Sequence, residues 1–268
     1  MKKILFLPFL QIPSGHHHVA DALIDGIKKA DSTIQCEKVD ILHYGYGIIE
    51  NIISNVYIKW ISYVPQFYSW IYRKSVCDKG IENKRFYHYE LLFLNIMRKM
   101  CEEKKPDVIV CTHALPSYML SQLKQKGVIQ IPIINVYTDY FINRLWGVEG
   151  IDYHFAPSIK MKQFLVEKGI PPSSIYVTGI PIHYHITEEQ PREVRAGRKQ
   201  LVITGGNLGI GLIDKLVQKV KGHHVDFHIL CGKNKRLYER LLSFQKPNIK
   251  PLPYVHSKKE MDLIYKNS

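Results

Sequence analysis

No two of the five cysteines stand at the spacing C-x-x-C, and the set is scattered over a chain of 268 residues. An odd, dispersed set of this kind is typical of the reducing cytoplasm and argues against a disulfide framework or a cysteine-based zinc site. Long apolar runs are also missing. Residues 60–72 are shorter than the about 20 apolar residues that span a bilayer, and Pro65 interrupts them. We therefore expect no transmembrane segment.

Acidic residues are few compared with basic ones. The chain has 24 Asp and Glu against 37 Lys and Arg, which gives a formal charge of +13 and a pI near 9.4. A surplus of this size favours anionic partners: nucleic acid, phosphate-bearing substrates or an anionic membrane surface. Because the sequence has no recognised nucleic-acid motif and its basic residues are dispersed, we expect no nucleic-acid partner.

Apolar runs of strand length alternate with segments of helical spacing along most of the chain. Buried strands are predicted at 3–10, at 106–114 and at 131–139, and a further strand is predicted near 36–41. The apolar N-terminus lacks the small-residue cleavage site of a signal peptide, which favours a first strand there. Strands and helices in this order indicate βαβ units around a parallel sheet, so the predicted fold class is α/β.

A polar, charged stretch without periodicity divides the pattern in two. We predict a first Rossmann-like domain over 1–185, a linker over 186–199 and a second Rossmann-like domain over 200–268. The second part has three βα units, fewer than a free-standing doubly wound domain usually has. We therefore expect the second domain to be incomplete.

Three consecutive histidines, His16, His17 and His18, follow Gly15 at a predicted strand-to-helix turn. Consecutive helix residues point about 100° apart, so the three rings cannot converge on one ion, and we predict no metal site. His16 lies where a doubly wound sheet places its ligand crevice, and a helix N-terminus lowers the pKa of an imidazole so that it can act as a base. A solvated turn histidine is the alternative interpretation.

Glycine-rich turns follow the predicted strands of the second domain. The stretch "ITGGNLGIG", residues 203–211, lets backbone amides approach a phosphate, although it lacks the P-loop lysine and a tight strand-to-helix turn explains it equally well. "CGKN", residues 231–234, follows the next strand, and "YV", residues 254–255, ends the third. All three turns lie at the carboxyl ends of predicted parallel strands and therefore at one edge of the sheet.

Two further polar residues stand at predicted strand ends in the first domain. Asp139 ends "NVYTD", where a carboxylate can orient a base or accept a substrate hydroxyl, and His113 has the corresponding place on the preceding strand. Capping of the following turn is an equally good interpretation of both residues.

The segment from Tyr44 to Tyr72 is rich in aromatic residues mixed with basic ones. Trp and Tyr rings favour the membrane interface, and basic residues favour anionic headgroups. This pattern predicts a flap that contacts a membrane or binds an acyl chain, with burial in a core as the alternative. The predicted contact residues are Trp60, Tyr63, Phe67 and Trp70.

Taken together, these motifs resemble one family of glycosyltransferases. The resemblance rests on "GHHHVADAL", "PDVIVCTH", "IPIINVYTDY" followed by Trp146, "VTGIPI", "TGGNLGIG", "LCGKN" and "YV". The sequence is similar to monogalactosyldiacylglycerol synthases and processive diacylglycerol glucosyltransferases, which are related to the muramyl-pathway enzyme MurG. The resemblance implies a GT-B fold and an inverting transfer of a hexose from a UDP-sugar to a membrane lipid such as diacylglycerol, without a separate cofactor. It also implies a peripheral location on the inner face of the cell membrane.

Carried over by position, the resemblance assigns roles to individual residues. His16 would be the general base, and Asp139 would support the base or the acceptor. His113 would lie on the acceptor side, and Gly15 would belong to the donor-binding residues. The donor side would comprise Gly205, Gly206, Asn207, Gly232, Lys233, Asn234, Tyr254 and Val255, with the last two beside uracil.

The family continues with a Lys-Pro-Gly-Gly-x-Thr-x-x-Glu-like stretch that this sequence does not contain. Relatives use that stretch to grip the diphosphate and ribose of the donor. The alternative function is therefore a shortened, non-catalytic relative that binds membrane lipid without turning over a donor. On this ground we expect UDP to bind the present chain weakly or not at all.

Overall fold

The computed structural model describes residues 2–9, 14–47, 85–184, 198–206, 209, 211–219, 225–266 and 268. The chain divides into two compact units, residues 1–187 and residues 188–268. The predicted flap residues Trp60, Tyr63, Phe67 and Trp70, the glycine-loop residue Asn207 and most of the predicted linker lie outside the described residues.

The first unit contains a six-stranded sheet in which every neighbouring pair is parallel. Its strands are β1 (Lys3–Leu7), β2 (Gln35–Lys38), β3 (Val108–Cys111), β4 (Ile133–Val136), β5 (Tyr153–Ala156) and β6 (Ile175–Val177). The helices that the structure describes in this unit are α1 (Gly15–Ala30), α2 (Ile41–Tyr46), α3 (Tyr87–Lys104), α4 (Ala114–Gln125) and α5 (Ile159–Glu167), with a 3-10 turn at Pro172–Ser174.

Apolar side chains from both faces of this sheet form the core of the first unit. On one face, α1 packs Val19 and Ala20 against Phe6, Val110 and Val136 of the strands. On the other face, a larger cluster joins α3 and α4 to the strands, because alternate strand residues point to opposite faces. The sheet is therefore covered on both faces, as parallel sheets require.

The strand order of the first unit is β2-β1-β3-β4-β5-β6. The chain leaves β1 toward β2 on one side and then returns to place β3 on the other side of β1. The strand order reverses at this point, and an open α/β sheet of this order has its ligand crevice outside the carboxyl ends of the two strands. For this unit, the crevice lies beyond Leu7 and Cys111.

The second unit contains three parallel strands in the order β7-β8-β9. The strands are β7 (Lys199–Thr204), β8 (Val225–Leu230) and β9 (Ile249–Leu252), and the helices among the described residues of this unit are α6 (Ile213–Lys219), α7 (Lys235–Leu242) and α8 (Lys258–Lys266). Phe227 and Ile229 of β8 form its core with residues of α6 and α7.

The fold class predicted from the sequence, α/β with parallel sheets, is confirmed, and the corrections concern boundaries. The strand predicted to reach Ile41 ends at Lys38, because Asp40 accepts hydrogen bonds from the amides of Leu42 and His43 and so begins α2. The strand predicted to reach Asp139 ends at Val136. Its last three predicted residues therefore belong to the loop at the carboxyl edge.

Candidate active site

His16 is the second residue of α1, at the carboxyl end of β1. Ser14 has the extended backbone of an N-cap, but its side chain makes no capping hydrogen bond. The first turn of α1 is therefore not held by its own cap, and the contacts of His16 with neighbouring strand ends attach this turn to the sheet.

Two oxygen atoms hold the His16 ring at one nitrogen. Nδ1 lies 2.8 Å from the carbonyl oxygen of Thr112, which follows β3, and 2.8 Å from Oγ1 of Thr138, which follows β4. Because a carbonyl oxygen only accepts hydrogen bonds, we assign the proton to Nδ1, which donates it to Thr112. The lone pair is then on Nε2, and this nitrogen is able to take a proton from a substrate.

Burial and charge act in opposite directions on His16. Burial lowers the pKa of His16, while the negative charge of Asp139 and the hydrogen bond to Thr112 raise it in part. The lowering agrees in direction with the expectation for a helix N-terminus, and burial is its main cause. A ring with a lowered pKa is neutral near pH 7, which is the state that a general base requires.

His113 lies beside His16 and caps the helix that follows β3. Its Nδ1 accepts a hydrogen bond from the amide of Leu115 at 3.1 Å, which explains why α4 begins at Ala114, directly after it. The rings of His16 and His113 meet edge to face, with centroids 4.7 Å apart. The ring of Phe9 also packs against His113, with centroids 5.0 Å apart. Burial, together with His16 and His17, holds the pKa of His113 well below its ordinary value. His113 is therefore a neutral capping residue that also forms one side of the His16 environment.

The structure thus brings together three of the sequence-predicted residues of the first unit, His16, Asp139 and His113. Gly15 begins the same helix and has no atom near the place of an added Cβ. Thr138 and the Thr112 carbonyl were not predicted from the sequence. The signal for Thr138 was its position directly before Asp139, whereas a backbone carbonyl leaves no signal in a sequence.

In the second unit, the side chain of Asn234 connects two of the predicted turns, residues 203–211 and 231–234, through a hydrogen bond. Its Nδ2 donates to the carbonyl of Gly209 at 3.0 Å, and its Oδ1 accepts from the amide of Leu237 at 3.0 Å, which caps α7. A Cβ on Gly209 would lie 1.9 Å from the carbonyl oxygen of Cys231, so only glycine fits this contact. Both functional atoms of the Asn234 side chain are thus used to shape the turns.

A cavity of about 380 Å³ opens beside these turns. Within it, Nζ of Lys233 lies 5.4 Å from the centroid of the Tyr254 ring, and the Tyr254 and His256 rings meet at 4.6 Å. The full lining is Gly232, Lys233, Asn234, Lys235, Tyr238, Pro253, Tyr254 and His256. The cavity therefore combines an aromatic face with a lysine.

Four of the predicted donor residues line this cavity: Gly232, Lys233, Asn234 and Tyr254. Val255, Gly205 and Gly206 are not among its lining residues. Gly206 lies in the turn after β7, where its amide donates to Oγ1 of Thr204 at 3.1 Å. His256 also lines the cavity and was not predicted from the sequence, although it stands two residues after Tyr254.

Two further observations concern ions and membranes. Over the described ranges, no three His, Cys, Asp or Glu side chains form a group that could hold a metal ion. None of the helices that the structure describes combines the length and the apolarity needed to cross a bilayer.

Sequence comparison gives one family match and several relatives. The family model described as Monogalactosyldiacylglycerol (MGDG) synthase matches residues 16–182. The uncharacterized glycosyltransferase YkoN of Bacillus subtilis (strain 168) is 43% identical over 270 residues, which cover 100% of this chain and 72% of YkoN. The processive diacylglycerol beta-glucosyltransferase of the same strain is 26% identical over 274 residues, which cover 95% of this chain and 68% of that protein.

Comparison with solved structures shows a similarity of overall architecture, as two examples illustrate. MnaA of S. aureus, solved with UDP, has a TM-score of 0.54 and 12% identity, with 98% of this chain and 71% of MnaA covered. MurG of Acinetobacter baumannii has a TM-score of 0.55 and 12% identity, with 100% of this chain and 70% of MurG covered. These similarities confirm a fold of the GT-B type.

Proposed function

This chain belongs to the monogalactosyldiacylglycerol synthase family of glycosyltransferases, and from this premise we propose that it moves a hexose from a UDP-sugar to a membrane lipid. The acceptor is a lipid with a free hydroxyl, such as diacylglycerol, and the transfer inverts the anomeric carbon. The protein acts as a peripheral enzyme at the inner face of the cell membrane, on an anionic lipid surface.

The observation that carries this proposal is the arrangement around His16. The ring is held at Nδ1 by oxygens from two other strand ends, so its basic nitrogen is Nε2. In the proposed reaction, Nε2 removes the proton from the lipid hydroxyl as its oxygen attacks the anomeric carbon. The bond between that carbon and the UDP oxygen breaks, and UDP leaves with the electron pair. Attack from the face opposite to UDP inverts the configuration.

Asp139 supports the charged state that this reaction creates. When Nε2 has taken the proton, the ring is an imidazolium, and a nearby carboxylate stabilises its positive charge. The electrostatic effect of Asp139 on His16 has this sign, because it raises the pKa of the ring. Asp139 therefore favours proton transfer without having to accept the proton itself.

The cavity of the second unit supports the choice of donor. Tyr254 offers a ring on which a base can stack, and Lys233 offers a positive charge to a diphosphate. The stacking of one base on an aromatic side chain contributes about 1–3 kcal/mol. MnaA, which has a similar fold, was solved with UDP, and this supports the same class of ligand here.

Exposed apolar side chains at the carboxyl edge of the first unit support a lipid acceptor. Tyr140 and Phe141 follow β4 and are 69% and 48% exposed. Tyr87 and Leu91, one turn apart at the start of α3, are 67% and 86% exposed. Because α3 leads into β3, its first turns lie at the carboxyl edge, the same edge as His16. Apolar and aromatic side chains of this kind suit an interface with lipid, and the net charge of +13 suits an anionic one.

The proposal is tested by measuring sugar transfer from a panel of UDP-hexoses to diacylglycerol in vesicles that contain an anionic lipid. We expect His16→Ala to lower kcat by about 100-fold or more, the usual contribution of a general base. His18→Ala, an exposed histidine of the same helix, is the matched control and should retain wild-type turnover. Transfer by His16→Ala at the wild-type rate would refute the assignment of the base. Vesicle binding by the wild-type chain without transfer from any UDP-hexose would refute the enzymatic proposal.

A further inference from the structure

Thr138 makes the second of the two contacts on Nδ1 of His16. Its Oγ1 lies 2.8 Å from Nδ1, as does the carbonyl oxygen of Thr112. One N–H is therefore shared between two acceptors, which come from the ends of two different strands. The contact joins residues 122 positions apart in the chain, so it exists only because β1, β3 and β4 stand side by side.

A single acceptor would fix the proton of Nδ1 but not the plane of the ring. An imidazole that donates to one oxygen is free to pivot about that hydrogen bond, and its Nε2 then moves through an arc on the opposite side. A second acceptor from another direction removes this freedom. The position of Nε2, the basic atom, is thus set by both oxygens.

We propose that Thr138 is a positioning residue, which orients Nε2 of His16 toward the acceptor hydroxyl by sharing the Nδ1 proton with the Thr112 carbonyl. The effect of Thr138 on catalysis rests on the proposed function, whereas its effect on the orientation of the His16 ring does not. Thr138 acts through His16 and is not assigned a contact with the substrate.

The surroundings of the ring determine which measurements report on this role. Asp139 is the ionisable group that acts on the pKa of His16, and His16 and His17 act on the pKa of the adjacent His113. A hydrogen bond to an imidazolium is stronger than one to a neutral imidazole, so loss of the Thr138 oxygen removes more stabilisation from the protonated ring. The protonated state of His16 should therefore form at a lower pH when Thr138 lacks its hydroxyl.

The first experiment measures turnover. We expect Thr138→Val, which keeps the branched shape, to lower kcat by about 10- to 100-fold, because small misplacements of a reacting group have effects of this size. KM for donor and lipid should change less than about twofold, since the contact is not made to substrate. Thr138→Ser should restore kcat, and Thr138→Ala serves as a second hydroxyl-free variant if the valine variant does not fold. Thr33→Val, in the exposed turn after α1, is the control and should retain wild-type kcat.

The second experiment follows the ring itself and needs no activity. The ring nitrogens of His16 are assigned in a 15N NMR titration of the whole chain by their loss in His16→Ala. We expect the midpoint of His16 to fall by about half a unit to one unit in Thr138→Val and to return in Thr138→Ser, a shift of the size that one charge-assisted hydrogen bond produces. A merely structural role of Thr138 would lower stability without moving this midpoint.

The two experiments separate the two proposals. A wild-type midpoint and wild-type kcat in a folded Thr138→Val protein would overturn the role of Thr138, even if His16→Ala is inactive. A shifted midpoint together with an active His16→Ala enzyme would support the positioning of the ring and refute His16 as the base.

Discussion

The fully buried histidine of β5, His154, should make the first unit sensitive to acid. His154 has no exposed surface, its Nδ1 lies 2.8 Å from the hydroxyl of Tyr137, and its Nε2 has no hydrogen-bond partner among the described residues. Protonation would place a charge in the core and leave one N–H unsatisfied there. Burial accordingly lowers the pKa of His154 to about 4 from the ordinary value of 6.5.

The sign and size of the effect follow from this difference. The group binds its proton more weakly in the folded state, so its contribution to stability is complete above pH 6.5 and is lost as the pH falls toward 4. With these two pKa values, lowering the pH from 8 to 5 reduces the free energy of unfolding by about 2 kcal/mol, at about 1.4 kcal/mol per pKa unit. His16 and His113 are partly buried, their pKa values are also lowered, and they act in the same direction.

The test compares the wild-type chain with His154→Gln, which cannot titrate, in urea unfolding at pH 8 and pH 5. Tryptophan fluorescence reports on the first unit, because all three tryptophans fall within residues 1–187. The variant should be less stable than the wild type at pH 8, since Tyr137 loses its 2.8 Å hydrogen bond with His154, yet it should lose about 2 kcal/mol less between the two pH values. His88→Gln, an exposed histidine, is the matched control and should keep the wild-type loss. An equal loss in His154→Gln and the wild type would refute the reasoning.

Two further predictions concern the second unit. Tyr254→Ala should raise KM for the UDP-sugar by about 5- to 150-fold, the range that corresponds to about 1–3 kcal/mol of base stacking, while Tyr254→Phe keeps the ring and should stay close to wild type. An unchanged KM in the alanine variant would place the base elsewhere. Gly209→Ala should destabilise the second unit more than Gly206→Ala does, as measured by hydrogen exchange of β8. Both glycines have a positive φ, 59° and 69°, but only at Gly209 would a Cβ meet a backbone oxygen, at 1.9 Å. Equal hydrogen-exchange protection of β8 in Gly209→Ala and Gly206→Ala would show that the backbone near Cys231 can move away from the added Cβ without loss of stability.

The fold was largely predictable from the sequence because its signal is local and repeated. Runs such as 4–7 and 108–111 are apolar on both faces of a strand, and each precedes a segment of helical spacing. The boundaries were less predictable, because capping decides them. Asp40 ends a strand and begins a helix through two hydrogen bonds to amides, and an aspartate in a sequence does not indicate which amides it will reach.

The candidate site was predictable only in part. His16 was singled out because it follows a predicted strand, and His113 and Asp139 because they stand at predicted strand ends, since parallel strands bring their carboxyl ends to one edge. Thr138 was passed over because its hydroxyl gains meaning only beside a ring 122 residues earlier in the chain. Gly209 and Asn234 likewise acquire their roles from a contact between two turns.

The sequence by itself determined the succession of strands and helices and the residue types at the strand ends. The spacing of apolar residues along the chain indicates which face of each helix or strand is buried, and this spacing can be read without the tertiary structure. Only the tertiary structure decided that β3 lies beside β1 and that Thr112 and Thr138 share one imidazole proton. Hydrogen bonds act over about 3 Å and require direction as well as proximity, and neither distance nor direction between remote residues is set until the sheet has formed.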